Sequence, residues 1–206
     1  DIGDGARLAA VFREHRFDAV VHMAGLCYPA DSVRAPLAYY RQNVQHALVL
    51  FGAMAGAGVD RIVFSSSCSV YGNAPVAVDE TAPLAPASPY ARSKMLVEQM
   101  LADIAGEHGW HAVSLRYFNA AGADPEGELG EWHDPEPHLV PRVLMAAQGL
   151  LPEIVVHGND YPTPDGTCIR DYCHVSDLAD AHVRALERID APGQLSVFNL
   201  GNQRGF

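Results

Sequence analysis

Lysine is nearly missing from this 206-residue chain: of its fourteen lysines and arginines, only Lys94 is a lysine. Cysteine is scarce too. Cys27, Cys68, Cys168 and Cys173 form no CxxC pair and no disulfide-framework spacing, so reduced thiols and a cytoplasmic setting are the expectation. Cys168, Cys173 and His174 lack the second ligand pair that structural zinc sites use, and no metal is predicted. No apolar run reaches the length of a membrane span, and no charged start followed by an apolar core marks a signal peptide. Positive charge is in deficit. The formal net charge of -11 repels nucleic acid and anionic membranes at long range. An anionic small molecule would need local positive groups, for which Arg116, Arg142 and Arg170 are the candidates. A glycine loop of the dinucleotide type is also absent. Gly52, Gly56 and Gly58 fall late in a predicted helix and Gly127 and Gly130 in an acidic loop, so neither cluster follows a strand and opens a helix. The chain opens at Asp1, which reads as a cut into a longer protein, with the main phosphate loop of any dinucleotide site upstream.

What is present has the balance of an ordinary folded domain, with 49% apolar and 19% charged residues. Short apolar runs at 17–25, 61–67, 111–119, 154–158 and 196–201 read as strands, and their lack of polar alternation is that of strands buried on both faces. Helical patterns lie between them at 4–15, 36–57, 88–108, 139–148 and 176–189. Asp4, Ser88 (followed by Pro89) and Ser176 are the predicted caps. The alternation predicts a Rossmann-like, doubly wound α/β sheet whose chemistry sits at the carboxyl ends of the strands. Residues 23–27, 64–67 and 117–119 lie at such ends. Residues 120–141, rich in glycine, proline and acid, read either as a solvated surface loop or as a lid.

Tyr90 and Lys94 are four apart in a predicted helix and share one face. An ammonium beside a phenol favours phenolate, so the pair predicts a tyrosine acidified toward neutral pH and able to take a proton from a substrate hydroxyl. Of the serines in "FSSSCSVYG", Ser67 closes the strand and is best placed to hold the reacting oxygen; Ser65 and Ser66 lie inside it and Ser69 past the turn. The plainer reading of Tyr90 and Lys94 is an exposed helix pair.

The segments "HMAGL", "SVRAPLAYYRQNV", "FSSSCSVYG", "SPYARSKMLVEQ", "LRYFNAAGADPEGELGE", "HLVP" and "GNDYPTPDGTCIRDYCHVSDLADAH" resemble, in this order, the extended short-chain dehydrogenase/reductase family in its NAD-dependent epimerase/dehydratase branch, and within it the UDP-glucose 4-epimerases. The resemblance implies NAD as cofactor, a UDP-hexose as substrate, and a homodimer paired through helices 36–57 and 88–108. It implies an NAD-binding part over 1–118 that lacks its first βα units, a substrate-binding or lid part over 119–173, and a return to the first part over 174–206. Ser67, Tyr90 and Lys94 match the catalytic positions. Asp1 and Ile2 match positions at the adenine, and Met23, Ala24, Gly25, Leu26, Cys27, Asn43 and Phe118 line the cofactor. Asn119, His138, Val155, Val156, His157 and Arg170 match substrate positions, with Arg170 at the diphosphate. Cys27 stands where many members carry lysine, His157 where an aromatic is expected, and His138 where many carry an amide. Related dehydratases carry an acid pair directly after the serine. Here those residues are Cys68 and Ser69, which favours epimerisation over elimination. Other UDP-sugars, and a non-catalytic NAD sensor, are the alternative readings.

Overall fold

The structure is a computed structural model and describes residues 1–73, 77–189 and 191–206. Its contacts divide the chain into two compact units, residues 1–118 with 179–200, and residues 119–178 with 201–206.

The first unit is built on a four-stranded parallel sheet ordered β1 (Val20–His22), β2 (Arg61–Ser67), β3 (His111–Tyr117), β6 (Gln194–Leu200). The register runs Arg61 to His111 to Gln194 at one end and Ser67 to Tyr117 to Leu200 at the other, so all three long strands finish at one edge. Alternate residues leave on opposite faces. Ile62, Phe64 and Ala112 join the core formed with α1 (Gly5–Glu14), α4 (His46–Ala57) and α5 (Pro89–His108), while Val63, Val113 and Leu115 meet the end of α7 (Val175–Glu187) and Ile189. Both faces are therefore covered, and the Rossmann-like expectation is met.

Two of the predicted caps, those of α1 and α5, are present: the Asp4 carboxylate accepts from the Arg7 amide at 2.9 Å and the Ser88 hydroxyl from the Ala91 amide at 3.1 Å. Ser176 is not a cap, because α7 already begins at Val175. Residues 36–57 form α3 (Pro36–Tyr39), a π-helical turn (Tyr40–Gln45) and α4, and they are preceded by a short helix, α2 (Pro29–Arg34), that the sequence pattern does not announce. Leu50 and Phe51 of α4 are core residues, whereas Leu48 is exposed.

The second unit carries a two-stranded parallel ladder of β4 (Asn119–Ala121) and β5 (Tyr172–His174), with α6 (Leu139–Ala147) between them in sequence. Residues 154–158, predicted as a strand, pair with no strand among the described residues, and Ile154, Val155 and Val156 are exposed. The unit runs from Asn119 to Leu178 and takes up the chain again at Gly201. Residues 201–206 belong to this unit because Arg170 and Phe206 exchange backbone bonds of 2.9 Å and the Asp171 carboxylate accepts from the Asn202 and Gln203 amides. Among the described residues no helix is long and apolar enough to cross a membrane.

Within the first unit, Arg116 of β3 and Glu98 of α5 are 4% and 3% exposed and form an ion pair at 2.5 Å. Glu98 also accepts from Ser114 at 2.8 Å, and Arg116 donates to Tyr71 at 2.8 Å, which donates to Asn199 of β6 at 2.8 Å. Burial alone would depress the guanidinium pKa, but the Glu98 carboxylate and Tyr71 together hold it above its ordinary value. Arg116 is thus committed to the core and is not the anion-binding group its charge suggested. Leaving one charge buried and unpaired costs about 3–5 kcal/mol. Glu98→Leu or Arg116→Met alone should lower the stability of the chain by that amount in urea titration, and the double variant should recover most of the loss; equal and additive losses would show that the pair is not coupled.

Candidate active site

Helix α5 follows β2 and packs on the sheet with its N-terminus at the edge where the strands end. Along the face it turns to the sheet stand Tyr90, Lys94, Glu98, Leu101 and Ala105, all buried. The C-terminal half of this stripe is apolar and enters the core; the N-terminal half is polar and meets the sheet edge. Pro89 at the first helical position and the Ser88 cap fix where that half begins.

Lys94 is 7% exposed, and its ammonium donates to the Ser65 carbonyl at 2.7 Å and lies 4.9 Å from the centre of the Phe64 ring. Tyr90 is 8% exposed, with the Lys94 Nζ 5.9 Å from its ring centre, and its hydroxyl is hydrogen-bonded to Ser67. Ser67 ends β2, and its hydroxyl also accepts from the Ser69 amide at 3.2 Å, capping the 3₁₀ turn Cys68–Tyr71. The structure therefore brings the three sequence-predicted residues into one buried cluster.

Their electrostatics differ from the expectation. Burial lowers the Lys94 pKa from 10.5 to about 8, against the opposing pull of Cys27 and Glu98. Burial pushes Tyr90 up to about 12, with the Ser67 hydrogen bond only partly offsetting it. Desolvation outweighs the Ser67 hydrogen bond, so the resting tyrosine is a neutral phenol at neutral pH rather than an acidified one. His22, at the end of β1 against Phe51 and Phe64, is lowered from 6.5 to about 4, by burial first and by Lys94 second.

The loop after β1 is held from beneath. Asn43 Oδ1 accepts from the Leu26 amide at 2.8 Å while its Nδ2 donates to the Leu26 carbonyl and the Ser93 hydroxyl, each at 3.0 Å. Tyr39 does the same two residues on, its hydroxyl accepting from the Tyr28 amide at 3.0 Å and donating to the Tyr28 carbonyl at 2.7 Å. A Cβ on Gly25 would stand 3.0 Å from Asn43 Oδ1, so the loop passes close over the amide. Asn43 sits in the π-helical turn, an irregularity common at functional sites. Met23, Ala24, Gly25, Leu26 and Cys27 are left exposed above these clamps. Burial raises the Cys27 thiol, with Lys94 opposing. Tyr39 escaped the sequence reading, although its four-residue spacing from Asn43 was a visible signal. Asp1 accepts from the Gly3 amide at 2.8 Å and lies 3.6 Å from His46, Ile2 is half-buried beside it, and the Phe118 amide donates to the Leu200 carbonyl at 3.2 Å.

The remaining predicted residues belong to the second unit. Asn119 donates its side-chain amide to the Asp171 carbonyl at 2.8 Å, next in sequence to Arg170, whose exposed guanidinium donates to the Ile169 carbonyl at 3.0 Å. His157 lines an open depression of about 370 Å³ with Gly158, Asp160, Tyr161 and Pro162, and Val155 and Val156 are exposed beside it in sequence. His138 precedes α6 with its ring on Glu131 and Glu136.

Comparison with known proteins bears on what these residues are for. Residues 1–201 match the NAD dependent epimerase/dehydratase family. The chain belongs to that family. It is 49% identical over its whole length to a UDP-glucose 4-epimerase of Azospirillum brasilense, of which it covers 59%. Among solved structures it is similar to a UDP-glucose 4-epimerase of Brucella ovis in complex with NAD, with TM-score 0.94, 48% identity, and coverage of all of this chain and 64% of that one. It is likewise similar to a UDP-glucose 4-epimerase of Bifidobacterium longum in complex with NAD+ and UDP, with TM-score 0.93, 42% identity, and coverage of all of this chain and 62% of that one. The chain thus spans about three fifths of the length of the relatives it matches.

A single lysine makes the electrostatics directly observable. In protein labelled with ¹³C-lysine, the one Cε resonance should titrate near pH 8 in the folded chain and near 10.5 in denaturant. A folded-state midpoint at 10 or above would mean that the ammonium is solvated and the site is not closed around it.

Proposed function

We propose that this chain is the greater part of an NAD-dependent enzyme that interconverts UDP-glucose and UDP-galactose through a transient 4-keto sugar. The observation that carries the reading is the buried Ser67, Tyr90 and Lys94 cluster at the strand ends. The family and the named activities of its relatives agree with it.

The residues present fit a nicotinamide nucleotide. Lys94 is a buried ammonium with one carbonyl acceptor among the described residues, so donors remain for a ribose hydroxyl. The clamped loop 23–27 offers Met23 and Leu26 as an exposed apolar surface for a planar base, and Asp1, Ile2, Asn43 and Phe118 complete the proposed cofactor set. When bound, NAD supplies the hydride acceptor at C4 and a positive ring charge.

The chain's own residues handle the proton. Ser67 holds the C4 oxygen by hydrogen bonding, and the Tyr90 oxygen takes the hydroxyl proton as the ketone forms and gives it back as the alcohol reforms. Since burial keeps the resting Tyr90 protonated, this role needs a positive charge beyond the distant Lys94 ammonium. Cys68 and Ser69 supply no carboxyl pair to expel a hydroxyl, which disfavours the dehydratase reading. In the second unit Arg170 is assigned to the diphosphate, with Asn119, His138, Val155, Val156 and His157 around the uridine and sugar. A cytoplasmic homodimer joined through residues 36–57 and 88–108 completes the proposal; Leu37 and Leu48 are the exposed apolar residues of the first of these segments.

The test is conversion of UDP-galactose to UDP-glucose by the chain completed with the flanking segments its relatives carry. Activity is expected, and Tyr90→Phe should lower kcat on the order of 10² to 10⁴-fold with little change in KM. Conversion only of a UDP-pentose, UDP-uronate or N-acetylated hexose would replace the substrate, and NAD binding without turnover of any UDP-sugar would replace the enzyme by a sensor.

A further inference from the structure

We propose that Glu131, His133 and His138, with Glu136 bracing His138 beside them, form a binding site for one divalent transition-metal ion of the zinc class, on the loop that enters α6. Donor atoms of Glu131, His133 and His138 all lie within 4.8 Å of one another. Glu131 Oε1 is 3.2 Å from His133 Nε2 and 2.6 Å from His138 Nδ1, and Glu136 Oε1 is 2.9 Å from that same Nδ1. The four groups come from eight consecutive residues, and the two imidazole rings stand 4.8 Å apart, edge to face.

Charge and geometry both point to a cation. Two carboxylate oxygens converge on one imidazole nitrogen, His138 Nδ1, which carries at most one proton to share between them. A dication placed among them would meet the carboxylates with full charge and the imidazoles with lone pairs. Tetrahedral coordination at about 2.0–2.2 Å sets neighbouring ligand atoms about 3.3–3.6 Å apart. The carboxylate–imidazole separations of 2.6 to 3.2 Å need a small opening, and no pair of donors among Glu131, His133 and His138 is more than 4.8 Å apart. Two imidazole nitrogens and a carboxylate oxygen suit zinc, copper or nickel, whereas calcium and magnesium favour all-oxygen sites.

The cluster is also partly preorganised. Glu136 Oε1 accepts from the His138 amide at 2.8 Å, and Arg142 from the first turns of α6 donates to the Glu136 carbonyl at 3.1 Å. The Glu136 side chain is 10% exposed while those of Glu131, His133 and His138 are 30–44% exposed, so the site has a closed floor and an open side for ion entry. The inference does not depend on the epimerase reading. It competes with the assignment of His138 to the sugar nucleotide, because a metal-bound imidazole is withdrawn from other partners.

The test is titration of the metal-free chain with Zn²⁺ by calorimetry and with Co²⁺ by visible absorption. One equivalent of either ion should bind, and Co²⁺ should show tetrahedral d–d bands without the charge-transfer band of a thiolate. A His133→Ala/His138→Ala double variant with unchanged circular dichroism should lose at least tenfold in affinity, about 1.4 kcal/mol, and Glu131→Gln should weaken binding with the fold intact. Absence of saturable binding, a thiolate charge-transfer band, or affinity unchanged in the double variant would overturn the proposal.

Discussion

The buried pair of Arg116 and Glu98 is the constraint on which the site depends. A helix packed on a sheet ordinarily presents an apolar stripe, and α5 does so only from Leu101 onward. Its N-terminal half turns Tyr90, Lys94 and Glu98 inward, one below the other at four-residue intervals. Each polar group needs a partner there, because an unsatisfied buried donor or acceptor costs about 1–3 kcal/mol. Glu98 finds Arg116 and Ser114 on β3, Lys94 finds the Ser65 carbonyl of β2, and Tyr90 finds Ser67 at the strand end. The ion pair fixes how far α5 slides along the sheet, and that position sets where the ammonium and the phenol stand relative to Ser67.

The same enclosure governs their acidity. With Lys94, Tyr90 and His22 all buried, desolvation favours the neutral form of each: the amine and the imidazole become easier to deprotonate, the phenol harder. A charge arriving in this low-dielectric setting acts on all three more strongly than it would in water. The site is thus built to respond to a bound cationic group rather than to be permanently ionised. Tyr39 and Asn43 add rigidity by closing the backbone hydrogen bonds of Tyr28 and Leu26, leaving Cys27 between them directed to neither clamp.

The parallel strands β2, β3 and β6 were legible because their apolar interiors need cover on both faces, and α5 was legible from Ser88, Pro89 and its periodicity. Residues 154–158 misled because an apolar run in a small unit need not find a strand to pair with. The opposite failure occurred at β4 and β5, whose three-residue strands carry too little pattern to be seen. Tyr90 and Lys94 were found by spacing alone, but their pKa values were misjudged, since spacing gives proximity of charges and not the depth of burial. Arg116 was misread for the same reason: its partner Glu98 lies on a different element, and only packing brings them together. His133 and His138 lay unremarked as a pair within a segment read as a surface loop or lid, where composition hid a cluster that depends on how the loop turns.

We infer that Lys94 serves the proposed site through its shape and position as well as its charge. A compact ammonium on a flexible stem reaches the Ser65 carbonyl and keeps further donors for a ligand, whereas a planar guanidinium is wider and fixes its donors in a fork. The direct measurement is turnover of UDP-galactose by Lys94→Arg in the chain completed to its relatives' length, beside Arg92→Lys, whose side chain turns to Tyr40 and Pro86 instead. A loss of about a hundredfold or more in kcat is expected for Lys94→Arg and little change for Arg92→Lys. Retention of more than about half the wild-type rate by Lys94→Arg would contradict this role, leaving only the positive charge that both side chains share.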